Sequence, residues 1–161
     1  VAKLLSIDPK LVKAVFDHAP QPWGRNEHFS FNGQECILNL VKNPTGANEV
    51  MKVIEADDRK KSVLIVLNDH DQDGTDVSWI YDTHFEKVLA KETSTIICSG
   101  TRAYDMALRL RYEGIEKKII IHEDLQEAVD ALFAQHDNIL YAIATYTALL
   151  PTRNVICRRI K

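Results

Sequence analysis

The sequence contains no apolar run approaching the ~18 residues that a membrane-spanning helix needs, and its opening does not read as a signal peptide. Cysteine is scarce. Cys36, Cys98 and Cys157 are odd in number and far apart, with no C-x-x-C pair or cysteine–histidine set among them, which speaks against a zinc site or a disulfide framework. Cys36 in ECILNL and Cys98 in TIICSG are instead expected to be small core residues in a reducing compartment, the cytosol. A basic excess is missing too: 20 Lys and Arg against 23 Asp and Glu leave a net charge of −3, too little positive surface to expect a nucleic-acid partner. Arg153, Arg158, Arg159 and Lys161 cluster, and read as a solvated helix end. Also absent are G-x-x-x-x-G-K-[ST], G-x-G-x-x-G and G-x-S-x-G, so neither a nucleotide fingerprint nor a complete nucleophile set is written here.

What remains is an ordinary globular composition. With 161 residues, 45% hydrophobic and 27% charged, the chain suits one domain (1–161) whose core needs no disulfide or metal staple. Asp8-Pro9 predicts a helix start, with Leu11, Val12, Val15 and Phe16 on one face and Ala19-Pro-Gln-Pro22 as its stop. Glu27–Phe31 and Gln34–Val41 flank Asn32-Gly33, a strong hairpin signal. Thr45 is expected to cap a helix carrying Val50, Met51 and Ile54.

Strands and helices alternate from there. Ser62–Leu67, Thr95–Cys98, Lys118–His122 and Asn138–Ala144 read as strands, the first two as continuous apolar runs suited to burial on both faces. Thr83 and Glu86 suggest a capping box for a short helix with Phe85, Val88 and Leu89. Arg102–Glu113 reads as a helix closed by Gly114, and Asp124 and Glu127 begin another. In the last helix Pro151 is expected to cause a kink or restart. The order implies a mostly parallel sheet flanked by helices and preceded by an antiparallel hairpin.

Sites in such folds lie beyond the carboxyl ends of the strands. The acidic stretch 69–78 falls there, with Asp69, Asp71, Asp73 and Asp76 inside eight residues. Its D-x-D-x-D-G opening matches a calcium loop at positions 1, 3, 5 and 6. Position 8 is Asp76 and position 12, where the glutamate belongs, is Ile80, so the pattern is incomplete. A solvated acidic turn, a calcium site and a group of working carboxylates all stay open on the residues alone. His70 and His84 lack ligand spacing and read as surface histidines. Lys42-Asn-Pro-Thr-Gly46 and Ser99-Gly-Thr-Arg102 are helix starts that either cap a helix or receive an anion, and the turn at Thr145-Tyr-Thr147 is the fourth loop at this edge.

Four stretches taken together, KNPTGANEV (42–50), LNDHDQDGTDVSWIYD (67–82), SGTRAYDMALRLRYEG (99–114) and TYTALLPTR (145–153), resemble the MurT C-terminal domain family. Trp23-Gly-Arg-Asn-Glu-His-Phe29 is similar to that family's entry segment. MurT is the Mur-ligase-like subunit of bacterial lipid II isoglutaminyl synthase. The resemblance implies a Rossmann-like fold of the Mur ligase C-terminal type, here a piece of a longer chain whose central domain holds ATP and Mg; a start at Val1 fits that. It also implies an enzyme part that amidates the D-glutamate of the lipid II stem peptide with ammonia from a class I glutaminase subunit, GatD. The setting is cytoplasmic, at the inner membrane face, with the membrane met only through the lipid substrate. In the family an aspartate of this domain completes the glutaminase Cys-His-Asp triad. Asp69 is the first choice, being first after its strand, followed by Asp73 and Asp76, with Asp71 a bystander. Lys42, Asn43, Thr45, Thr101 and Arg102 are candidates for nucleotide or substrate contact, and no residue is assigned to a metal. A calcium-binding or purely scaffolding domain is the alternative.

Overall fold

The structure is a computed structural model and describes residues 5–19, 22–89, 92–115 and 118–160. Pro20 and Gln21, the Val88 side chain and Lys161 lie outside the described residues. Six strands form one sheet in the order β1-β2-β6-β3-β4-β5. The strands are β1 (Glu27–Phe31), β2 (Gln34–Leu40), β3 (Lys61–Val66), β4 (Thr93–Ser99), β5 (Lys118–Ile121) and β6 (Ile139–Ala144). Only β1 runs antiparallel; Phe31 pairs with Gln34 across the expected Asn32-Gly33 turn. Both turn residues take positive φ, 47° and 81°, which Asn and Gly tolerate best.

Helices α1 (Pro9–His18), α2 (Pro44–Glu55), α3 (Phe85–Leu89), α4 (Ala103–Tyr112), α5 (Leu125–Phe133) and α6 (Tyr146–Arg159) connect or flank the strands, and a 3-10 turn covers Ser78–Asp82. Met51, Ile54, Ile80, Phe85, Met106 and Leu110 pack on one sheet face, against Val63, Ile65 and Ile96. Val129, Leu132, Ala148, Val155 and Ile156 cover the other, against Leu64, Val66 and Leu140. Alternate residues of one strand thus face two different helix layers, so every residue of β3 and β6 is buried and no polar alternation marks them. Each fully buried Leu or Ile contributes about 2 kcal/mol by removal from water. Cys36 and Cys98 are core residues as expected, and burial pushes each thiol up to about 12.

Three local expectations change. Asn43, not Thr45, caps α2: its side chain accepts Gly46 N–H at 2.8 Å, and Pro44 takes the first helical position, where a missing N–H costs nothing. Thr83 does not join Glu86 in a capping box, since its hydroxyl turns back to the Trp79 carbonyl while Glu86 faces Arg109. Helix α6 runs continuously through Pro151 rather than restarting. Helix α1 forms as its cap predicts, with Asp8 accepting from Lys10 N–H, yet Leu11, Val15 and Phe16 stay exposed and none of its residues is buried.

Candidate functional site

The parallel strands deliver three helix starts and the acidic loop to one edge of the sheet. At the end of β3, Asn68 joins the pieces. Its backbone N–H donates to Thr145 Oγ1 (3.0 Å), its Nδ2 donates to Thr147 Oγ1 (3.0 Å), and its Oδ1 accepts Thr101 N–H (3.1 Å). This leaves no room beside the next strand end. Gly100 takes φ +90°, and a Cβ there would sit 2.5 Å from the Leu67 carbonyl oxygen and 2.7 Å from Asn68 Oδ1.

The four loop carboxylates then go to four different fates. Asp69 turns onto the start of α4. Thr101 Oγ1 donates to its Oδ1 at 2.8 Å and Arg102 Nη1 lies 3.4 Å from Oδ2. The Thr101 hydroxyl, aided by the Arg102 charge, holds this carboxyl below its ordinary range. Asp71 is exposed. Asp73 is buried, at 7% exposure: Oδ1 accepts Thr147 N–H at 2.8 Å, and Oδ2 accepts Thr147 Oγ1–H at 2.5 Å and His70 N–H at 3.2 Å. Asp76 is exposed at the far side of the loop. Its Oδ1 accepts Ser78 N–H at 2.8 Å, and this bond, aided by the Ser78 hydroxyl, holds the carboxyl below its usual range and keeps it ionised through neutral pH.

Behind Asp76 the chain is pinned. Ile80 is in the core and Trp79 packs against it. The guanidinium of Arg109, 1% exposed, donates to the Ile80 carbonyl (3.1 Å), the Thr83 carbonyl (2.9 Å) and Glu86 (3.1 Å). The loop is therefore rigid at both ends, and its crowding is resolved locally. That geometry gives the calcium reading no support: the carboxylates at positions 1 and 5 of the pattern serve different helices. Among the described residues no three His, Cys, Asp or Glu side chains are placed to share a metal ion. His70 and His84 are both exposed.

The remaining candidates share the edge but not one pocket. Lys42 and Thr45 are exposed, with Lys42 Nζ 6.0 Å from the Tyr146 ring centre. Asn43 is occupied as a cap, Thr101 with Asp69, and Arg102 with Asp69 and Asp105 (Nε–Oδ2 2.9 Å). Thr101 and Asn68 also line a cleft of about 530 Å³ with Gly100, Tyr104, Leu125 and Pro151, on the face carrying α5 and α6. Sequence reasoning named the loops and missed the two side chains that organise them. Asn68 looks like a strand-end residue; Arg109 is one of three arginines in a helix, and only its place one turn beyond Met106 hints that it points inward. The similarity of 23–29 to the family entry segment also gains a physical reason: Arg153 of α6 stacks on Trp23 at 4.6 Å and pairs with Glu27 at 2.9 Å.

Comparison with known proteins meets this geometry from another side. The family described as MurT ligase C-terminal matches residues 40–149. The lipid II isoglutaminyl synthase (glutamine-hydrolyzing) subunit MurT of Streptococcus pneumoniae is 34% identical over 160 residues, 99% of this chain and 36% of that protein. The subunit of the same name from Staphylococcus aureus is 36% identical over 151 residues, 94% of this chain and 34% of its own length. The chain thus spans about a third of the curated relatives it matches. Among solved structures, MurC of Thermotoga maritima superposes with a TM-score of 0.65 at 12% identity, covering 98% of this chain and 34% of that one. MurF of Acinetobacter baumannii gives 0.63 at 15%, covering 99% and 35%. Folylpolyglutamate synthase of Mycobacterium tuberculosis, complexed with ADP and AMPPCP, gives 0.62 at 16%, covering 96% and 36%. At such identities these likenesses establish the fold, that of Mur ligase C-terminal domains.

Proposed function

This chain belongs to the MurT ligase C-terminal family, and from that premise we propose that it is the C-terminal domain of the ligase subunit of an ATP-dependent, glutamine-hydrolysing lipid II isoglutaminyl synthase. In this reading the enzyme amidates the D-glutamate of the stem peptide to D-isoglutamine at the cytoplasmic membrane face. ATP and Mg are held mainly by parts of the subunit outside this chain. The domain docks the class I glutaminase subunit, GatD, and lends it the carboxylate of a Cys-His-Asp triad. Support for the ligase part comes from the relatives' names, and for a partner from their being named subunits of a glutamine-hydrolysing enzyme. No helix among the described residues is long and apolar enough to cross a membrane.

The observation that carries the triad reading is Asp76. A histidine that serves as general base needs a carboxylate on its other ring nitrogen, to fix the tautomer and stabilise the imidazolium. Such a carboxylate must be ionised, held still and exposed to the other chain. Asp76 is ionised, held by the N–H and the hydroxyl of Ser78, and exposed to solvent. Asp69 meets the need less well, because it is half-buried and already paired with the Arg102 cation and the Thr101 hydroxyl. Asp73 is turned inward. Lys42 and Thr45, exposed on the same edge, are the side chains most available to nucleotide or muropeptide; Thr101, Arg102 and Asn43 shape the edge.

Reconstitution tests the proposal. The glutaminase subunit alone should hydrolyse glutamine slowly, and adding the ligase subunit that carries this domain should raise its rate at least ~10-fold, the scale on which a triad carboxylate matters. Full hydrolysis by the glutaminase alone would leave this domain a scaffold.

A further inference from the structure

A calcium loop that opens D-x-D-x-D-G draws its carboxylates together around a cation. Here the same opening is pulled apart between two helix starts. Asp69 goes to α4 and Asp73 to α6, with Asn68 bridging the two through Thr101 and Thr147. The α6 contact is unusual. Tyr146 is the first residue of that helix and Thr147 the second, so the Thr147 N–H is one of the donors a helix leaves without an internal acceptor. The residue placed to cap it, Thr145, makes no side-chain bond to the helix, since its hydroxyl instead accepts Asn68 N–H. Asp73, 74 residues earlier, takes over that duty, binding both the N–H and the hydroxyl of Thr147. A carboxylate there also lies at the positive end of the helix.

We propose that Asp73 is a positioning residue: by capping α6 from outside through Thr147, it fixes the acidic loop so that Asp76 is presented to the partner subunit in one orientation. This rests on the preceding reading, in which Asp76 serves the partner's histidine. Gly74, at φ +88°, lies between the two aspartates, so the chain pivots directly after Asp73. Where that pivot starts decides where Asp76 arrives. A misplacement of ~1 Å at a reacting group costs on the order of 100-fold. Asp73 touches neither substrate nor the reacting atoms; its side chain is spent inside the fold.

The test uses the full ligase subunit with its glutaminase partner and reads glutamine hydrolysis, partner affinity and thermal melting for Asp73→Asn, Thr147→Val, Thr147→Ser and Asp76→Asn. Asp73→Asn should lower kcat about 10-fold or more, leave KM for glutamine unchanged and alter partner affinity less than about 3-fold. Thr147→Val, which keeps the N–H but loses the hydroxyl, should lower kcat in the same way. Thr147→Ser, which keeps both, should restore it to within about twofold, and the double variant Asp73→Asn/Thr147→Val should be no worse than the poorer single one. Wild-type kcat in Asp73→Asn, beside an inactive Asp76→Asn, would overturn the inference and leave the triad reading standing. So would a loss of activity that tracks melting and that Thr147→Ser fails to restore, for Asp73 would then be only structural. An active Asp76→Asn beside an inactive Asp73→Asn would make Asp73 the acting carboxylate and overturn both.

Discussion

Arg109 illustrates how a single buried cation can hold a functional loop that it never touches. Its guanidinium donates to the Ile80 carbonyl inside the 3-10 turn, to the Thr83 carbonyl just after it and to Glu86, Nη1 lies 3.3 Å from Glu113, and Tyr81 covers it with its ring centre 5.5 Å away. Removing it would leave two carbonyls and two carboxylates, those of Glu86 and Glu113, without this partner. Because Glu86 keeps some access to water, the cost belongs at the lower end for a broken buried pair. Arg109→Ala is expected to destabilise the domain by about 3 kcal/mol in urea unfolding, and Arg109→Lys, which cannot span three acceptors in one plane, by less. A loss below ~1 kcal/mol would contradict the structural role. Nothing in the local sequence predicts this. Helical spacing tells which residues share a face, but a charged side chain on the rim of an apolar face reads as solvated until its acceptors, 23 to 29 positions away, are folded against it. Asn68 escapes sequence reading for the same reason, since its partners come from the ends of two other strands.

At the scale of elements the sequence is more legible, because most element signals are local. Asp8-Pro9, Asn32-Gly33 and Asp124 with Glu127 act as read, and Asp124 accepts Glu127 N–H at 2.9 Å. Thr45 does not cap its helix, and Pro151 does not restart α6. Asn43 competes better for the cap because Pro44 fixes the entry, and α6 tolerates a proline in its sixth position because buried neighbours on both sides, Ala148 and Val155, hold the helix to the sheet. Long-range braces again lie beyond local reading. At the amino edge of the sheet, Asp57 accepts from Arg59 Nε (2.9 Å) and Nη2 (2.7 Å), and from the Tyr141 hydroxyl of β6 (2.8 Å). Arg59 also reaches Glu35 of β2 at 2.9 Å. Hydrogen bonds from Arg59 hold the Asp57 carboxyl far below the usual carboxylate range, and Arg59 followed by His28 lowers Glu35. A carboxyl depressed by folding stabilises fully above its unfolded value and loses that stabilisation as pH falls toward its folded one. Stability should therefore be level between about pH 7 and 5 and decline below about pH 4. Asp57→Asn should be less stable at neutral pH and show a shallower acid decline in denaturant melts at stepped pH. An acid limb as steep as that of the parent would contradict the assignment.

At the scale of the whole molecule, the sheet has one edge braced by ion pairs and one edge given to loops. The parallel order was legible from alternating apolar runs; the strand order, with β6 inserted between β2 and β3, was not, because strand neighbours depend on crossovers that no single segment encodes. The site followed the same division. The acidic loop was legible as a place, since it follows a buried strand, and the family resemblance gave it a role. Which carboxylate faces out depends on contacts with Thr101, Thr147 and Ser78 that only the fold brings together. In the proposed reading those contacts favour Asp76, exposed on the loop, over Asp69, which is half-buried against Arg102. The central claim is that this domain completes a catalytic triad on a separate subunit, and kcat for glutamine hydrolysis by the assembled pair with Asp76→Asn tests it most directly. The account predicts a fall of at least ~10-fold with the pair still assembled at unchanged affinity. Wild-type kcat in an intact Asp76→Asn complex would contradict it.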